Sequence, residues 1–428
     1  MKSILRRILI YILQIEARLM LWRHKPKIVA ITGTVGKTST KDVIFECIKP
    51  YFYARKSEKS YNSEIGLPLT ILGLDNAWNN PLKWFWNIIF GFFVFFNSKY
   101  PSWLVLEIGI DRPGDMKKVS RWLKTDIVVF TKFSQIPVHV EYFDSPDEVI
   151  AEKSLLADTL KIDGTLILNR DDEEVFAIRE RAKRKNISYG FNSSSDIIAS
   201  NQEYLYDSSG KLIGIIFRAD YEGNSIPVRI IGSLGQGQVY SALSALSVGT
   251  ALGLNSISLS ESISTYSPPQ GRMMILPGIN KSQIIDDTYN SSPVALRSAL
   301  LTLNEIKATR KVAVLGDMLE LGKYTVEEHK KIGKEVAEFV GLFVAVGERM
   351  KVAVENALSN GMKEEQVLHF DTSKEAGEYL QNLIREDDIV LVKGSQSIRM
   401  EKVVEEIMAE PEKKAELLVR QDEEWKKR

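Results

Sequence analysis

The sequence of 428 residues contains little cysteine or histidine and carries no net charge. Its one cysteine, Cys47, cannot form an intramolecular disulfide, and with only four histidines it cannot build a cysteine-rich zinc site. Basic and acidic residues number 56 each, so the chain has neither the basic field that holds nucleic acid nonspecifically nor the acidic excess of a disordered chain. Together with 44% hydrophobic residues, these scarcities predict a cytoplasmic protein of roughly three domains that binds no nucleic acid.

Residues 1–25 form a basic leader that lacks a long hydrophobic run. Lys2, Arg6 and Arg7 precede a short apolar stretch, Ile8 to Leu13. Polar residues interrupt this stretch and no small-residue cleavage site follows, so it is not a secretory signal. The pattern predicts a basic amphipathic helix, which either lies on a membrane or packs against the next domain.

Aromatic residues are concentrated in an insert, residues 76–103. Its apolar centre, WFWNIIFGFFVFF, would be about 20 Å long as a helix, which is too short for a bilayer core of about 30 Å. A buried helix and an interface for a partner protein are two interpretations. The third is a membrane anchor at the interface. Its headgroup contacts would be Trp78, Trp84, Trp86 and Trp103.

The strongest motif is ITGTVGKTST, Ile31 to Thr40, in which a β-rich run enters a glycine turn and Gly36-Lys37-Thr38 opens a helix. Backbone N–H groups of such a turn bind polyphosphate, Lys37 would pair with the outer phosphates, and the Thr38 hydroxyl could ligate Mg²⁺. The strict P-loop pattern requires glycine where this chain has Ile31, so the loop is a shortened version beginning at Gly33. The alternative is a glycine turn without a ligand.

Strand and helix alternate along the chain, which predicts an α/β fold. Residues 26–267 are expected to form a central P-loop ATPase domain with a mostly parallel sheet and a small antiparallel patch, and residues 268–410 a C-terminal Rossmann-like α/β domain. The remaining residues, 411–428, form a charged tail for which a solvated helix is expected. The predicted parallel strands are Lys27–Ile31, Trp103–Ile108, Ile127–Thr131, Ser282–Ile285, Lys311–Leu315, Leu342–Val346, Gln366–Phe370 and Ile389–Val392.

Two chemically active residues follow predicted strands of the first domain. Glu107 ends a buried run, where an unpaired carboxylate is costly, so it is either a Mg²⁺ ligand or the partner of a basic residue. His139 follows the next strand, at the sheet edge where open α/β folds bind ligands. It is a candidate for metal or phosphate binding, and its alternative is a structural histidine.

Lys153 lies on the helix that begins at Ser145-Pro146, and it shares a face with Val149, Leu156 and Leu160. A lysine in an apolar stripe is costly unless it is neutralised or paired, and the alternative is a side chain that extends to the surface.

Polar residues also follow strands of the second domain. Asp286, Asp287 and Asn290 lie at one strand end and could hold ribose hydroxyls, a metal or an amine. Lys393 follows another strand at the edge where ligands bind. Arg272 lies at the domain boundary, where it could reach a γ-phosphate or serve only the linker.

Taken in order, these motifs resemble the Mur ligase family, whose members form amide bonds with ATP in cell-wall precursor synthesis. Within the family, the C-terminal motifs VLGDMLELG and VKGSQSIRMEKVV are most similar to the MurF branch, which joins D-alanyl-D-alanine to a UDP-N-acetylmuramoyl tripeptide. The quoted segments that carry the family resemblance are TGTVGKTST, NSEIGLPLT, LEIG, AEKS, PPQGRM and DDTYNSSP.

The resemblance implies ATP and Mg²⁺ as cofactors, a UDP-muramoyl peptide or related carboxylate and D-alanyl-D-alanine as substrates, and an acyl-phosphate intermediate. It implies catalytic roles for Lys37, His139, Lys153 and Arg272. The implied metal ligands are Thr38, Glu107, His139 and Lys153, the lysine as a carbamate. The implied nucleotide contacts are Gly33, Thr34, Gly36, Lys37, Thr38, Ser39, Asn62, Arg272, Asp287 and Asn290.

Three departures from the family pattern leave alternatives open. GQGQVYSAL replaces the usual segment near the adenine, Gln396 replaces an arginine, and only about 25 residues precede the P-loop strand, so the N-terminal uridine-binding domain is expected to be absent. The alternatives are a ligase of the same fold that acts on a folate-like or lipid-linked carboxylate, and a nucleotide-binding scaffold without turnover. Peripheral membrane contact through the leader and the insert is a further expectation.

Overall fold

The computed structural model describes residues 2–57, 61–133 and 140–426, and this part of the chain forms two β-sheets. The first sheet has nine strands in the order β2-β3-β1-β4-β5-β6-β7-β8-β9. Its strands are β1 (Lys27–Thr32), β2 (Ala54–Lys56), β3 (Trp103–Glu107), β4 (Thr125–Phe130), β5 (Leu160–Asn169), β6 (Lys185–Gly190), β7 (Ile197–Tyr206), β8 (Leu212–Tyr221) and β9 (Asn224–Ile231).

The centre of this sheet is parallel and buried on both faces. Strand β1 pairs with β3 and β4, and Ile31 lies between Glu107 and Val129. Parallel strands covered by helices on both faces are apolar at nearly every position, and every residue of KIVAIT after Lys27 is buried. The carboxyl ends of β1, β3 and β4 therefore lie side by side. The predicted parallel sheet is confirmed, and so is the antiparallel patch, formed by β7, β8 and β9.

Helices cover both faces of the first sheet and leave its strand ends open. Helix α2 packs on α8, whose side chains are small or apolar along almost all of its length. The helices are α1 (Lys2–His24), α2 (Lys37–Ile48), α3 (Gly66–Leu72), α4 (Pro81–Val94), α5 (Asp115–Ser120), α6 (Pro146–Ser154), α7 (Glu173–Ala182), α8 (Gln236–Ala251) and α9 (Ser256–Ser264).

The second sheet has six strands in the order β10-β11-β15-β12-β13-β14, and only β10 runs antiparallel to its neighbour. Its parallel strands confirm the predicted Rossmann-like alternation. The strands are β10 (Met274–Pro277), β11 (Gln283–Asp287), β12 (Arg310–Gly316), β13 (Leu342–Val346), β14 (Val367–Phe370) and β15 (Asp388–Lys393). The helices are α10 (Pro293–Glu305), α11 (Thr325–Ala337), α12 (Lys351–Ser359), α13 (Ser373–Leu380), α14 (Glu401–Ile407), α15 (Lys414–Leu417) and α16 (Glu423–Lys426).

The basic leader is helix α1, and it packs on the first domain. Leu13, Ala17 and Met20 are buried in the same apolar core as β1 and β3. Of the two alternatives for the leader, this is packing against the following domain. In the part of the chain that the structure describes, no helix is both long and apolar enough to cross a membrane.

Three expectations about peripheral segments are wrong. Trp103 lies inside β3 and is 3% exposed, so it cannot reach lipid headgroups. Helix α6 ends at Ser154, and Leu160 instead begins β5, because a short 3-10 turn intervenes. The tail after residue 410 is not a solvated helix, since Leu418 and Val419 are buried.

Candidate active site

The loop between β1 and α2 is held open by two glycines in positive φ. Gly33 has φ 147° and Gly36 has φ 86°, conformations that side chains with a Cβ rarely adopt. A Cβ on Gly33 would also lie 1.9 Å from Thr131 Oγ1. Thr34 N donates to Lys132 O at 2.7 Å, which ties the loop to the end of β4. The backbone of this loop is therefore free to surround a phosphate, as the motif predicts.

Lys37 begins α2 and points back over the loop. Its Nζ donates to the carbonyls of Gly33 at 3.0 Å and Thr34 at 3.3 Å. Burial lowers the pKa of Lys37, while the nearby Glu107 carboxylate opposes that shift. A cation held this way gains when anionic phosphate oxygens replace neutral carbonyls as its partners.

Glu107 lies at the end of β3 with one oxygen paired and the other unsatisfied. Its Oε1 accepts from Asn62 Nδ2 at 3.0 Å, and its buried Oε2 has no hydrogen-bond partner among the described residues. An orphaned buried carboxylate oxygen suits a cation, and Mg²⁺ commonly uses one or two carboxylates plus phosphates. The residues present thus fit Mg²⁺. In the described ranges, no group of three or more His, Cys, Asp or Glu residues is arranged so that it could hold a metal ion by itself.

Lys153 faces inward from α6 and is 5% exposed. Its Nζ donates to Thr34 Oγ1 at 3.1 Å, and among the residues described no carboxylate forms an ion pair with it. Burial first, and then the charge of Lys37, hold the pKa of Lys153 well below its usual value. The alternative of a lysine that extends to the surface is wrong. His139 lies outside the described residues.

Arg272 reaches the P-loop helix from the linker between the two sheets. Its Nη2 donates to Thr38 Oγ1 at 3.4 Å, and its guanidinium lies 3.9 Å from the centre of the Tyr289 ring. Its Nε is buried without a hydrogen-bond partner in the described structure. A stacked guanidinium with a free donor beside a phosphate loop suits an anion.

The two carboxylates at the end of β11 already have hydrogen-bond or ion-pair partners within the protein. Asp287 forms a buried ion pair with Lys393 at 2.5 Å, and Lys393 also donates to Asn290 O at 2.9 Å. Asp286 accepts from the N–H and hydroxyl of Thr288. Burial raises the pKa of Asp286 to about 6. Asp286 therefore supports the loop, whereas Asp287 and Asn290 face the cavity described next.

Two cavities meet at this loop. The smaller, about 120 Å³, contains six of the predicted nucleotide contacts. The larger, about 880 Å³, opens between the insert, the P-loop and the second domain. The predicted residues that line the smaller cavity are Thr34, Gly36, Ser39, Arg272, Asp287 and Asn290. Those that line the larger are Thr34, Gly36, Lys37, Thr38, Asn62, Glu107, Arg272 and Asn290.

Sequence reasoning missed two parts of these walls. Gln238, in the altered segment GQGQVYSAL, lines the smaller cavity and donates to Arg272 O at 3.1 Å. The C-terminal tail lines the larger cavity, and Arg420 there donates to Thr288 O and pairs with Glu401 at 2.7 Å. The apolar pair Leu418-Val419 inside a charged tail was the one sequence signal of that burial.

Comparison with known proteins agrees with this geometry. A model of the Mur ligase middle domain matches residues 31–249, more than half of the chain, and a model of the Mur ligase, glutamate ligase domain matches residues 271–396. The UDP-N-acetylmuramoyl-tripeptide--D-alanyl-D-alanine ligase of Bacillus subtilis is 24% identical over 93% of this chain and 79% of its own length. Its Buchnera aphidicola counterpart is 28% identical over 92% and 79%.

A solved structure shares the fold. The MurF ligase of Thermotoga maritima in complex with ADP aligns with a TM-score of 0.77 at 23% identity, over 95% of this chain and 85% of that one. The order of motifs, the two sheets and both family models lead to one conclusion. The chain belongs to the Mur ligase family.

Proposed function

We propose that this protein is an ATP-dependent, ADP-forming peptide ligase that adds D-alanyl-D-alanine to a UDP-muramoyl tripeptide in peptidoglycan precursor synthesis. The observation that carries the proposal is the meeting of the two cavities at Thr34, Gly36, Arg272 and Asn290, next to Lys37, Thr38 and Glu107 in the wall of the larger one. The relatives that bear this activity in their names align with more than nine-tenths of the chain, which supports the choice of substrates.

The smaller cavity is the proposed nucleotide site. Gly33, Thr34 and Gly36 would surround the phosphates with backbone N–H groups, and Ser39 and Asn290 would contact the rest of the nucleotide. Lys37 and Arg272 would neutralise the γ-phosphate from opposite domains. Arg272 comes from the linker between the two domains. The phosphate site would therefore be complete only when domain closure holds Arg272 beside Thr38.

Mg²⁺ would be held beside the phosphates by the Thr38 hydroxyl and the free Oε2 of Glu107. Asn62 orients Glu107 by donating to its other oxygen, which would leave the free oxygen available to the cation. Lys153, as a carbamate, and His139 are the proposed further ligands. When bound, Mg²⁺ neutralises charge that develops on the transferred phosphoryl group.

The larger cavity would hold the acid and the amine in sequence. A carboxylate oxygen of the tripeptide attacks the γ-phosphorus of ATP and ADP leaves, which gives an acyl phosphate. The free amine of D-alanyl-D-alanine then attacks the acyl carbon, inorganic phosphate leaves, and the nitrogen loses a proton to water. Lys37 and Arg272 stabilise charge on the phosphate oxygens, and closure excludes the water that would hydrolyse the intermediate.

ADP release measures the proposal directly. We expect ADP formation with ATP, Mg²⁺ and the UDP-muramoyl tripeptide that depends on D-alanyl-D-alanine, and a loss of at least a thousandfold in Lys37→Ala. Lys49→Ala is the matched control, because that lysine caps the other end of the same helix and pairs with Glu46 at the surface. Turnover only with another acid, folate-like or lipid-linked, would redirect the substrate assignment. ATP binding without any turnover would indicate a scaffold and refute the proposal.

A further inference from the structure

Helix α1 presents an uncovered apolar stripe on the face opposite its buried one. The buried positions Leu13, Ala17 and Met20 lie on one side, and residues at three- and four-residue spacing lie on the other. The exposed stripe consists of Leu5, Ile8, Tyr11, Ile15, Leu19 and Trp22, each 39–72% exposed. A helix that keeps six large apolar side chains in water on one face lacks a partner on that face.

Helix α4, like α1, has one buried face and one exposed apolar face. Asn87 and Gly91 are buried, and Asn87 Nδ2 donates to Asp75 O at 2.8 Å, which fixes the helix on the domain. The interpretation of α4 as a buried helix is therefore wrong for its opposite face. That face carries Leu82, Phe85, Trp86, Phe90, Phe92 and Phe93, each 52–71% exposed.

The two stripes lie on neighbouring helices, and both point away from the domain core. Helices α1 and α4 contact each other and pack on one apolar core, so their opposite faces both point away from it. They approach closely where Gly91 meets Glu16, since a Cβ on Gly91 would lie 2.3 Å from Glu16 Oε2. With about 100 Å² exposed on each large side chain, the combined face is on the order of 1,000 Å², larger than the usual patch on a monomer.

The charges around this face have one sign. The only acidic residue on either helix is Glu16, which points at Gly91 instead of at the exposed stripe. Arg7 and Arg18 are eleven residues apart, three helical turns, so they flank the stripe on the same side. Lys83 adds a cation on α4. Apolar and aromatic side chains bordered by cations complement the acyl boundary and anionic headgroups of a lipid bilayer.

We propose that the joint face of α1 and α4 docks this protein on an anionic lipid bilayer, with both helices in the interfacial plane. The inference is independent of the ligase activity. The docked face is tied to the larger cavity, because Trp78 lines that cavity and its carbonyl accepts from Trp84 Nε1 at 2.8 Å. Docking would thus hold one wall of the cavity close to the membrane.

Flotation of the full chain with vesicles tests the proposal. We expect binding to vesicles that contain phosphatidylglycerol and much weaker binding to pure phosphatidylcholine. Trp86→Ser with Phe93→Ser should lower the partition coefficient about a hundredfold, or tenfold for each aromatic ring withdrawn. Arg7→Gln should lower it about fivefold on anionic vesicles only.

The matched control replaces two exposed apolar side chains outside α1 and α4. Ile162→Ser with Ile257→Ser changes residues that are 81% and 61% exposed on β5 and α9, so vesicle binding should not change. Far-UV circular dichroism and thermal melting verify that each variant folds. Two results would overturn the proposal. One is equal vesicle binding by the face variant and the wild type, and the other is a dimer without vesicle binding that the face variant dissociates.

Discussion

Variants of the ion pair between Lys393 and Asp287 should separate the pair's contribution to stability from its contribution to ligase activity. At 2.5 Å and an effective dielectric constant of about 20, the attraction is about 6–7 kcal/mol. Burial nevertheless lowers the pKa of Lys393 despite this partner, so desolvation offsets most of the attraction. Removal of one partner leaves a buried charge alone, and Lys393→Met or Asp287→Asn should each cost about 3–5 kcal/mol of unfolding free energy.

The double variant, Lys393→Met with Asp287→Asn, should return to within about 1 kcal/mol of the wild type, because no buried charge remains. Its ligase activity should stay low, since both residues line the proposed nucleotide cavity. Urea denaturation and ADP release measure the two effects in the same four proteins. A single variant that costs less than about 1 kcal/mol, or a double variant no more stable than the singles, would refute the argument.

The matched control is the ion pair between Arg310 and Asp388, at 2.6 Å and at the opposite end of β15. Arg310→Met should also destabilise the fold, because Asp388 is 1% exposed. It should leave the Michaelis constant for ATP unchanged in the folded protein, since neither residue lines a cavity at the loop. Loss of ATP affinity in this control would mean that the assay reports stability only.

Three further outcomes are expected. Gly33→Ala should weaken ATP binding, measured by calorimetry, at least about a hundredfold, because the new Cβ would clash with Thr131 Oγ1. The control Gly210→Ala, at φ 81° in open space, should lower the free energy of unfolding by only about 1–2 kcal/mol. Lys153→Arg should abolish turnover, because arginine cannot form the proposed carbamate. Wild-type activity should fall when CO₂ is removed, since the neutral form of the buried Lys153 amine is the one that adds CO₂. Equal activity without CO₂ would contradict the carbamate. Burial raises the pKa of Glu16 to about 7, so between pH 4.5 and 7 the folded chain keeps a proton that the unfolded chain loses. The free energy of unfolding should therefore fall as pH rises from about 4.5 to 7. Thermal melts of Glu16→Gln should show about 1–2 kcal/mol less of that loss, after allowance for solvent screening.

The parts of the fold that sequence predicted are those with a local signal. The four central residues of KIVAIT are all apolar, so the run predicts a strand buried on both faces, and β1 is one. Gly33 and Gly36 occupy positions that require positive φ, and Ser145-Pro146 caps α6 as predicted, with Ser145 Oγ accepting from Glu148 N. In each case a short run of consecutive residues carries the signal.

The parts that sequence missed depend on contacts between distant residues. Asp287 could be a ligand on pattern alone, and only the register that places β11 beside β15 gives it Lys393 as a partner. Trp103 was predicted both to begin a strand and to contact lipid headgroups, and its burial in β3 against Phe52 excludes the second role. Aromatic content does not distinguish the two roles here, because large apolar side chains occur both in the buried strand β3 and on the exposed face of α4.

The C-terminal tail shows how a charged segment can become part of a site. Arg420 has φ 61°, a strained conformation for arginine, and its guanidinium donates to Thr288 O and pairs with Glu401. Glu401 is 1% exposed, and Arg420 from the tail compensates its buried charge together with Arg399. The tail therefore holds the loop that carries Tyr289, and Tyr289 stacks on Arg272. Charge density alone predicted solvation, whereas a buried opposite charge more than a dozen residues away made burial of the tail favourable.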